Sequence, residues 1–546
     1  MQEIISKIIA KQKEFDIDAW ISNVYQKIPQ NVKLTFCWSL IFSIIIHGFM
    51  FLNKFVSSDS IFNINHIQDT DWVTSLGRWL IPFIRSTRNY YNIPWFIGIF
   101  ALSYLIITTC LVVSILKVKS KIYCILISFL MASMPVLSVS FAFDYDADVY
   151  TLALLFSVLA VYFTQKYKHG YILGSISVML LLALYQSYIG FTLGLFTILL
   201  IKLVLDEKTT IKCIILKACN SLVCFIIGVG LYYVSVQIAI NSRGIALASQ
   251  AGTDAMGRDI LILLPYSLRT TIVDFFDFFG FFNETGRFFY VTNLLRLLYV
   301  IITIALIYLI VKIIVLLSKQ IIGISILRIL LLVSLLMFLP ISLNITEIMA
   351  PLSHRSLMEV YQFLLVIILV FVLSEIYSEY SKIKRWKSQA IVIIAAVLIG
   401  FNWTLTTSTY YFRIHIFYER TYAFYNRVLA RIEEVDGFGN MPVIFVGSTP
   451  YSEMQGRHQF PTVRSRFDHN QFVGTGALQP YMTDYFQINR IRSFINDYFG
   501  VYLPYASTEL RLEIVETQDF LTMPFWPHRD SVTVINGAIV VRFSYN

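Results

Sequence analysis

Apolar positions along this chain fall into long runs separated by short polar loops. About eleven of these runs are long enough to cross a bilayer, which needs about 20 residues. The fifth and sixth are divided only by the turn Tyr185-Gln186-Ser187-Tyr188. The pattern predicts a polytopic α-helical membrane protein with spans near 34–52, 93–116, 122–141, 148–165, 171–187, 189–205, 218–240, 292–316, 325–344, 359–377 and 390–409.

Residues outside this membrane module of 34–409 form two further segments. In residues 1–33, apolar positions recur at helical spacing between charges, which predicts a cytoplasmic amphipathic segment on the membrane surface; a plain cytosolic tail is the alternative. Residues 410–546 are polar and long enough for a small α/β domain. We expect a helix near 416–435, a strand at 442–447, and a hairpin turning at Asn536-Gly537.

The composition changes this picture little: 57% of residues are hydrophobic and 14% charged, with a mean hydropathy of +0.67. The net charge of +9 does not indicate nucleic acid, because the lysines lie in short loops between apolar runs. The six cysteines lie in apolar runs or in a lysine-bearing loop, so no disulfide framework is expected.

Lysines and arginines are concentrated in different, alternating loops. With eleven spans, nearly all loop lysines fall on one side, which the positive-inside rule assigns to the cytoplasm. The N-terminus is then cytoplasmic and the C-terminus extracytoplasmic, in a bacterial inner membrane. Apart from Lys54, the outer loops use arginine, whose planar fork suits phosphate and carboxylate. These arginines are Arg78, Arg85, Arg88, Arg243, Arg258, Arg269, Arg287 and Arg355.

Candidate chemistry gathers in the outer loops at 53–92 and 241–291 and in a short turn. The first loop holds Asp69, Asp71, Trp72, Arg78 and Trp79. Either aspartate is equally a candidate N-cap of a helix beginning at Trp72. A second acidic cluster, at 144–148, cannot move far from the membrane surface.

Three further groups are candidates for substrate or metal binding. Asp144 and Asp146 suit substrate binding, or a divalent cation through their oxygens. His354-Arg355 pairs an imidazole with a guanidinium that suits phosphate, or is a lipid-headgroup anchor. Tyr185-Gln186 offers a phenol and an amide at an outer helix end.

The sequence contains no phosphate-binding loop, no His/Cys metal spacing and no serine-nucleophile elbow. Since nucleotides are not generally available at an outer face, an enzyme there needs a lipid-carried donor. A polyprenyl-phosphate sugar would use an aspartate as general base and arginine for the phosphate. Trp72 and Trp79 would stack on sugar rings.

Four stretches in this order resemble the GtrII-type bacterial glucosyltransferases, of the GT-C class. They are Asp69-x-Asp71-Trp72 with Gly77-Arg78-Trp79, Phe143-Asp144-Tyr145-Asp146, Leu184-Tyr185-Gln186-Ser187, and residues 419–448 after the last span. The resemblance implies a polyprenyl-phosphate-glucose donor, a lipid-linked O-antigen or other glycan acceptor, and a partner donor synthase and flippase. It implies a catalytic acid in the first outer loop, either Asp69 or Asp71, with Asp71 preferred.

Two other functions fit the same topology. A flippase or transporter of a lipid-linked sugar should show internal repeats and charges at mid-span, and neither is present in the sequence. A polysaccharide polymerase would share both the topology and the outer arginines. No nucleic acid partner is expected, and the divalent cation named above is the one candidate cofactor.

Overall fold

The computed structural model is built mainly of helices. It describes residues 16–53, 69–206, 208–248, 293–320, 326–343, 361–381, 386–447 and 485–543, with isolated positions at 262–271 and at 345. Before the polar C-terminal part, the helices are α1 Ile17–Lys27, α2 Gln30–Leu52, α3 Thr70–Ser75, α4 Leu80–Ser86, α5 Pro94–Leu116, α6 Lys121–Ser133, α7 Pro135–Phe141, α8 Ala147–Lys166, α9 Gly170–Leu184, α10 Ile189–Leu205, α11 Ile211–Arg243, α12 Asn293–Gln320, α13 Ile326–Leu343, α14 Tyr361–Ser381 and α15 Trp386–Glu433.

Within the described residues, eight helical segments are long and apolar enough to cross a membrane. Two shorter apolar helices, Gly170–Leu184 and Ile326–Ser342, lie on two further predicted runs. Helix α14 lies on the remaining run. The prediction of a polytopic helical membrane protein is therefore supported, while the count of eleven spans stays a prediction.

Polar side chains inside the bundle form hydrogen bonds between helices that are distant in sequence. His47 of α2 is fully buried, and its Nε2 donates to Ala132 O at the end of α6, 2.7 Å away. Its Nδ1 accepts from the Tyr411 hydroxyl of α15, also at 2.7 Å. Because the helix breaks before Pro135, Ala132 O loses its usual donor four residues on, and His47 replaces that donor.

The loop between α5 and α6 contacts α14. At one end, Glu375 of α14 accepts from Ser120 N at 2.7 Å, beside Lys119. The first polar loop precedes α5 and so lies at the opposite end of that helix. The 144–148 turn follows α6 and α7, which lead away from Ser120, and the 185–188 turn follows α9. The two ends are thus separated in the structure; which one faces the cytoplasm stays a prediction.

The C-terminal part is carried by α15, a single helix of 48 residues. We expected a span ending near 409 and a helix near 416–435. Residues 416–433 are helical, but they continue the preceding helix without a break, so the predicted boundary at 410 lies inside α15. Beyond it lie β1 Val443–Val446, α16 Tyr485–Phe499, α17 Thr508–Val515, α18 Gln518–Thr522, β2 Val532–Ile535 and β3 Ala538–Arg542.

These strands form one sheet in the order β1-β3-β2, with β1 parallel and β2 antiparallel to β3. The predicted strand and hairpin are confirmed. Asn536 and Gly537 have φ of 48° and 76°, as a tight hairpin turn of this type requires. One face of the sheet packs on the end of α15 and on α16 through a shared apolar core.

Helix α1 confirms helix formation in the described part of the N-terminal segment. Its apolar residues Ile17, Ile21, Val24 and Tyr25 lie at helical spacing and are exposed. This stripe is the face expected on the membrane surface, and that contact stays a prediction. Residues 1–15 lie outside the described residues.

Candidate active site

The first polar loop is built on a short capped helix. The Asp69 carboxylate caps α3 by accepting a hydrogen bond from Trp72 N at 2.9 Å. The chain then turns at Gly77, whose φ is +77°. A Cβ at this position would lie 2.4 Å from the Tyr232 hydroxyl oxygen of α11. Glycine is therefore required here both for the backbone conformation and for the close approach of Tyr232.

Two arginines of this loop form ion pairs with the 144–148 turn, called the aspartate turn below. Arg85 forms a two-pronged ion pair with Asp146, with Nε–Oδ1 and Nη2–Oδ2 distances of 2.9 and 2.6 Å. Arg88 pairs with Asp148, and its Nη2 lies 3.7 Å from Asp146 Oδ1. Arg85 Nη1 also donates to Asp69 O at 3.3 Å. The arginines thus join the main chain of the first loop to the turn.

This ion-pair cluster is buried. Arg85 is 2% exposed and Asp146 4% exposed. Burial disfavours the charged guanidinium, but the Asp146 carboxylate, together with Tyr145 and Tyr150, outweighs burial, and the pKa of Arg85 is raised above its usual value. A buried, paired carboxylate stabilises local structure and is poorly placed to accept a proton from a substrate.

The aspartate turn also bears on metal binding. A cation bound to Asp146 would have to displace Arg85. Across the described ranges, no group of three or more His, Cys, Asp or Glu side chains is arranged to hold a metal ion. Asp144 is buried as well, and its Oδ1 accepts from Tyr145 N at 3.0 Å.

A second ion pair joins the first loop to the end of α11. Arg243 Nη1 lies 2.8 Å from Asp71 Oδ1, and the Asp71 side chain is 66% exposed. Just beyond α11, Ala248 N donates to Ser75 O at 2.9 Å. Asp71 is therefore positioned by an arginine while it remains open to solvent.

Arg78 is held by neutral partners. Its Nε donates to Gln186 Oε1 at 3.4 Å, and its guanidinium lies 4.7 Å from the centre of the Tyr185 ring. Gln186 in turn donates to Leu76 O and the Tyr232 hydroxyl, at 2.8 and 3.0 Å. The ion pairs found among the described residues do not include Arg78. Its charge is therefore not neutralised by a carboxylate there.

Aromatic rings connect Arg78 to the aspartate turn. Tyr185 lies 5.0 Å from Tyr150, which lies 6.0 Å from Phe143, and Phe143 lies 6.4 Å from Tyr145. These rings form a chain of neighbours between the guanidinium of Arg78 and the buried ion pairs.

The two tryptophans of the first loop have different environments. The Trp79 indole donates to Ser235 Oγ of α11 at 3.0 Å and packs on the bundle core. Trp72 is 44% exposed. Trp72 therefore offers the freer ring face for stacking on a sugar.

The structure gathers most of the predicted site residues at one end of the bundle. These are Asp69, Asp71, Trp72, Arg78, Trp79, Asp144, Asp146, Tyr185 and Gln186. His354 and Arg355, and most of the 241–291 loop, lie outside the described residues.

Sequence reasoning did not assign roles to Arg85, Arg88, Arg243 and Tyr232, which hold the site together. The first three were noted only as members of the outer arginine set. The only sequence signal for Tyr232 is a Tyr-Tyr pair followed by Ser235 in an otherwise apolar run.

The described helices thus include eight segments long and apolar enough to cross a membrane, with arginines, carboxylates and aromatic rings gathered at one end. A family model described as glucosyl transferase GtrII matches residues 48–373, more than half of the chain. The chain belongs to the GtrII glucosyltransferase family, as the sequence resemblance indicated. Neither the curated proteins nor the solved structures gave a significant match.

Proposed function

We propose that the protein transfers a glucosyl or similar hexosyl group from a polyprenyl-phosphate sugar. The acceptor is a lipid-linked O-antigen or other surface polysaccharide at the outer face of the bacterial inner membrane. The fold is of GT-C type, with a cytoplasmic N-terminus and an extracytoplasmic C-terminus. A donor synthase and a flippase supply the donor. Membership of the GtrII family supports glycosyl transfer itself.

The observation that carries the proposal is that the arginines of the site differ in their partners. Arg85, Arg88 and Arg243 each pair with an aspartate. Arg78 is instead held in place by Gln186 and Tyr185. A fixed guanidinium that is not ion-paired with a carboxylate among the described residues suits the donor phosphate, because it stabilises the charge that develops as the sugar departs.

The reaction needs one proton acceptor. An Asp71 carboxylate oxygen takes the proton of the acceptor hydroxyl while that hydroxyl oxygen bonds to the sugar's anomeric carbon. The bond from this carbon to the phosphate oxygen breaks, and polyprenyl phosphate leaves with the electron pair. Asp71 suits this role better than Asp69 because it is exposed and oriented by Arg243, whereas the Asp69 carboxylate caps α3.

The base assignment is tested in membranes supplied with polyprenyl-phosphate-[14C]glucose and the native glycan. We expect Asp71→Asn to lower transfer by about a hundredfold or more, the scale of general-base catalysis. Asp69→Asn should retain most activity, because asparagine caps helices as well as aspartate. Asp519→Asn, an exposed aspartate of α18, is the matched control. Full transfer by Asp71→Asn would remove Asp71 as the base.

The phosphate assignment is tested with Arg78→Gln. Loss of a charged hydrogen bond of about 1.5–3 kcal/mol lowers kcat/KM for the donor by about ten- to a hundredfold. Arg78→Lys should recover part of this loss. An unchanged kcat/KM for the donor in Arg78→Gln would contradict a phosphate role.

A further inference from the structure

The amide group of Gln186 lies at the centre of a hydrogen-bond network beside Arg78. Its Oε1 accepts from Arg78 Nε at 3.4 Å, and its Nε2 donates to Leu76 O at 2.8 Å and to the Tyr232 hydroxyl at 3.0 Å. The Tyr232 hydroxyl donates in turn to Gly77 O at 3.2 Å. Glycine leaves space for this amide, since a Cβ at Gly77 would lie 3.2 Å from Gln186 Nε2. The network thus joins the first polar loop to α11 and to the turn after α9.

The partners of Gln186 fix the orientation of its amide. The Arg78 Nε–H can only donate, and Leu76 O can only accept. Exchange of the amide oxygen and nitrogen would therefore set two donors against each other at Arg78 and two acceptors against each other at Leu76. Gln186 presents its oxygen to the guanidinium and uses both of its N–H groups within the protein.

Two uncharged groups hold the Arg78 guanidinium in place. They are the Gln186 oxygen and the ring of Tyr185, whose centre lies 4.7 Å away. The guanidinium of Arg85, in contrast, lies 2.6 Å from a carboxylate oxygen of Asp146. A carboxylate neighbour cancels the positive charge of a guanidinium, whereas an amide oxygen orients the guanidinium and leaves its charge to attract an anion.

We propose that Gln186 is a positioning residue that acts through its lack of charge. It orients Arg78 and connects it to α11 through Tyr232, yet it does not neutralise the guanidinium, which keeps its charge for the donor phosphate. This inference rests on the proposed function, in which Arg78 binds that phosphate. It deepens the function by assigning to position 186 a role that requires an amide.

The charge requirement is tested with Gln186→Glu and Gln186→Met in the full-length protein in micelles. In Gln186→Glu, a carboxylate of almost the same shape pairs with Arg78, so we expect kcat/KM for the donor to fall about tenfold or more, with the acceptor KM unchanged. Gln186→Met removes the hydrogen bonds of the amide but leaves Arg78 charged, so the fall should be smaller. A purely structural role predicts the reverse order, because glutamate keeps its bond to Arg78 and methionine keeps none.

A second measurement follows binding without transfer. Polyprenyl phosphate, the product that leaves the donor, is titrated into the protein in the absence of an acceptor. We expect Gln186→Glu to raise its Kd about tenfold. Gln165→Glu is the matched control, because Gln165 is half-buried like Gln186 and its Nε2 donates to Ser221 Oγ of α11 at 3.3 Å. This variant should match wild type in both measurements.

The outcomes separate this inference from the proposed function. A wild-type protein without transfer activity would refute the function itself, while weaker polyprenyl phosphate binding in Gln186→Glu would still support the role of Gln186. In active protein, a donor kcat/KM equal to wild type in Gln186→Glu overturns the inference. A larger fall in Gln186→Met than in Gln186→Glu overturns the charge requirement.

Stability is measured alongside as the thermal unfolding midpoint. If Gln186→Glu does not fold, Gln186→Met decides. A fall of kcat/KM confined to the donor supports positioning of Arg78, whereas equal losses for donor and acceptor, or no loss, overturn it.

Discussion

Replacing Arg85 by methionine tests whether this arginine organises the site or binds phosphate. The substitution leaves Asp146 buried without its two-pronged partner and removes the bond to Asp69 O. Removing one member of a buried ion pair costs about 3–5 kcal/mol. Because Arg88 lies 3.7 Å from Asp146 Oδ1 and compensates in part, we expect the lower end of that range.

The double variant Arg85→Met/Asp146→Leu removes both charges. We expect its unfolding free energy to return to within about 1–2 kcal/mol of wild type, because a well-packed apolar pair replaces a buried ion pair at little cost. Lys119→Met, which breaks the exposed Lys119–Glu379 pair, is the matched control and should change stability by less than about 1 kcal/mol.

The unfolding free energy is measured by denaturant titration in micelles, with tryptophan fluorescence as the signal. The donor KM is measured separately. A positioning role predicts a large stability loss in Arg85→Met, recovery in the double variant, and near-normal donor KM wherever the protein folds. Unchanged stability together with a tenfold higher donor KM would refute the reasoning and make Arg85 a phosphate ligand.

Two further substitutions test the geometry of the first polar loop. Gly77→Ala should lower the unfolding free energy by more than the roughly 1–2 kcal/mol of a strained backbone, because its Cβ meets Tyr232, and should abolish donor binding. In the control Gly537→Ala, the position has a positive φ but open space, so this variant should show the backbone cost alone. Equal losses of stability in the two variants would contradict the clash with Tyr232. Arg243→Gln should lower the transfer rate while stability changes by less than about 1 kcal/mol, since this ion pair is exposed; an unchanged rate would show that Asp71 needs no orientation by Arg243.

Local signals in the sequence predicted most helix ends and one turn. The run at 93–116 corresponds to Pro94–Leu116, because a proline at the first position marks a helix start. The run at 189–205 corresponds to Ile189–Leu205, because Gln186 interrupts the apolar pattern. Asn536-Gly537 specified its hairpin because these two residue types tolerate positive φ.

The pairing inside the site could not be predicted, since it depends on contacts between distant residues. Asp146 and Asp144 have nearly the same local sequence, and only the fold shows that Arg85, 61 positions away, faces Asp146. For the same reason, Arg78 and Arg85 look equivalent in sequence, although within the described part of the chain Arg85 is ion-paired and Arg78 is not. The continuity of α15 was missed because polar residues after 403 indicate the end of a span, yet they do not end a helix.

Because α15 is unbroken, its number of residues sets the position of the C-terminal sheet relative to the bundle. Its 48 residues extend about 72 Å, of which the part after Phe412 is about 30 Å. Each inserted residue would turn everything beyond it by about 100° and lift it by 1.5 Å. A single-residue insertion after Phe412 would therefore rotate the C-terminal sheet by about 100° relative to the bundle, while an insertion of seven would nearly restore the direction but raise the sheet about 10 Å. The height of the C-terminal sheet above the apolar part of α15 is thus set by helix length, and insertions or deletions in this helix would move the sheet more than substitutions would.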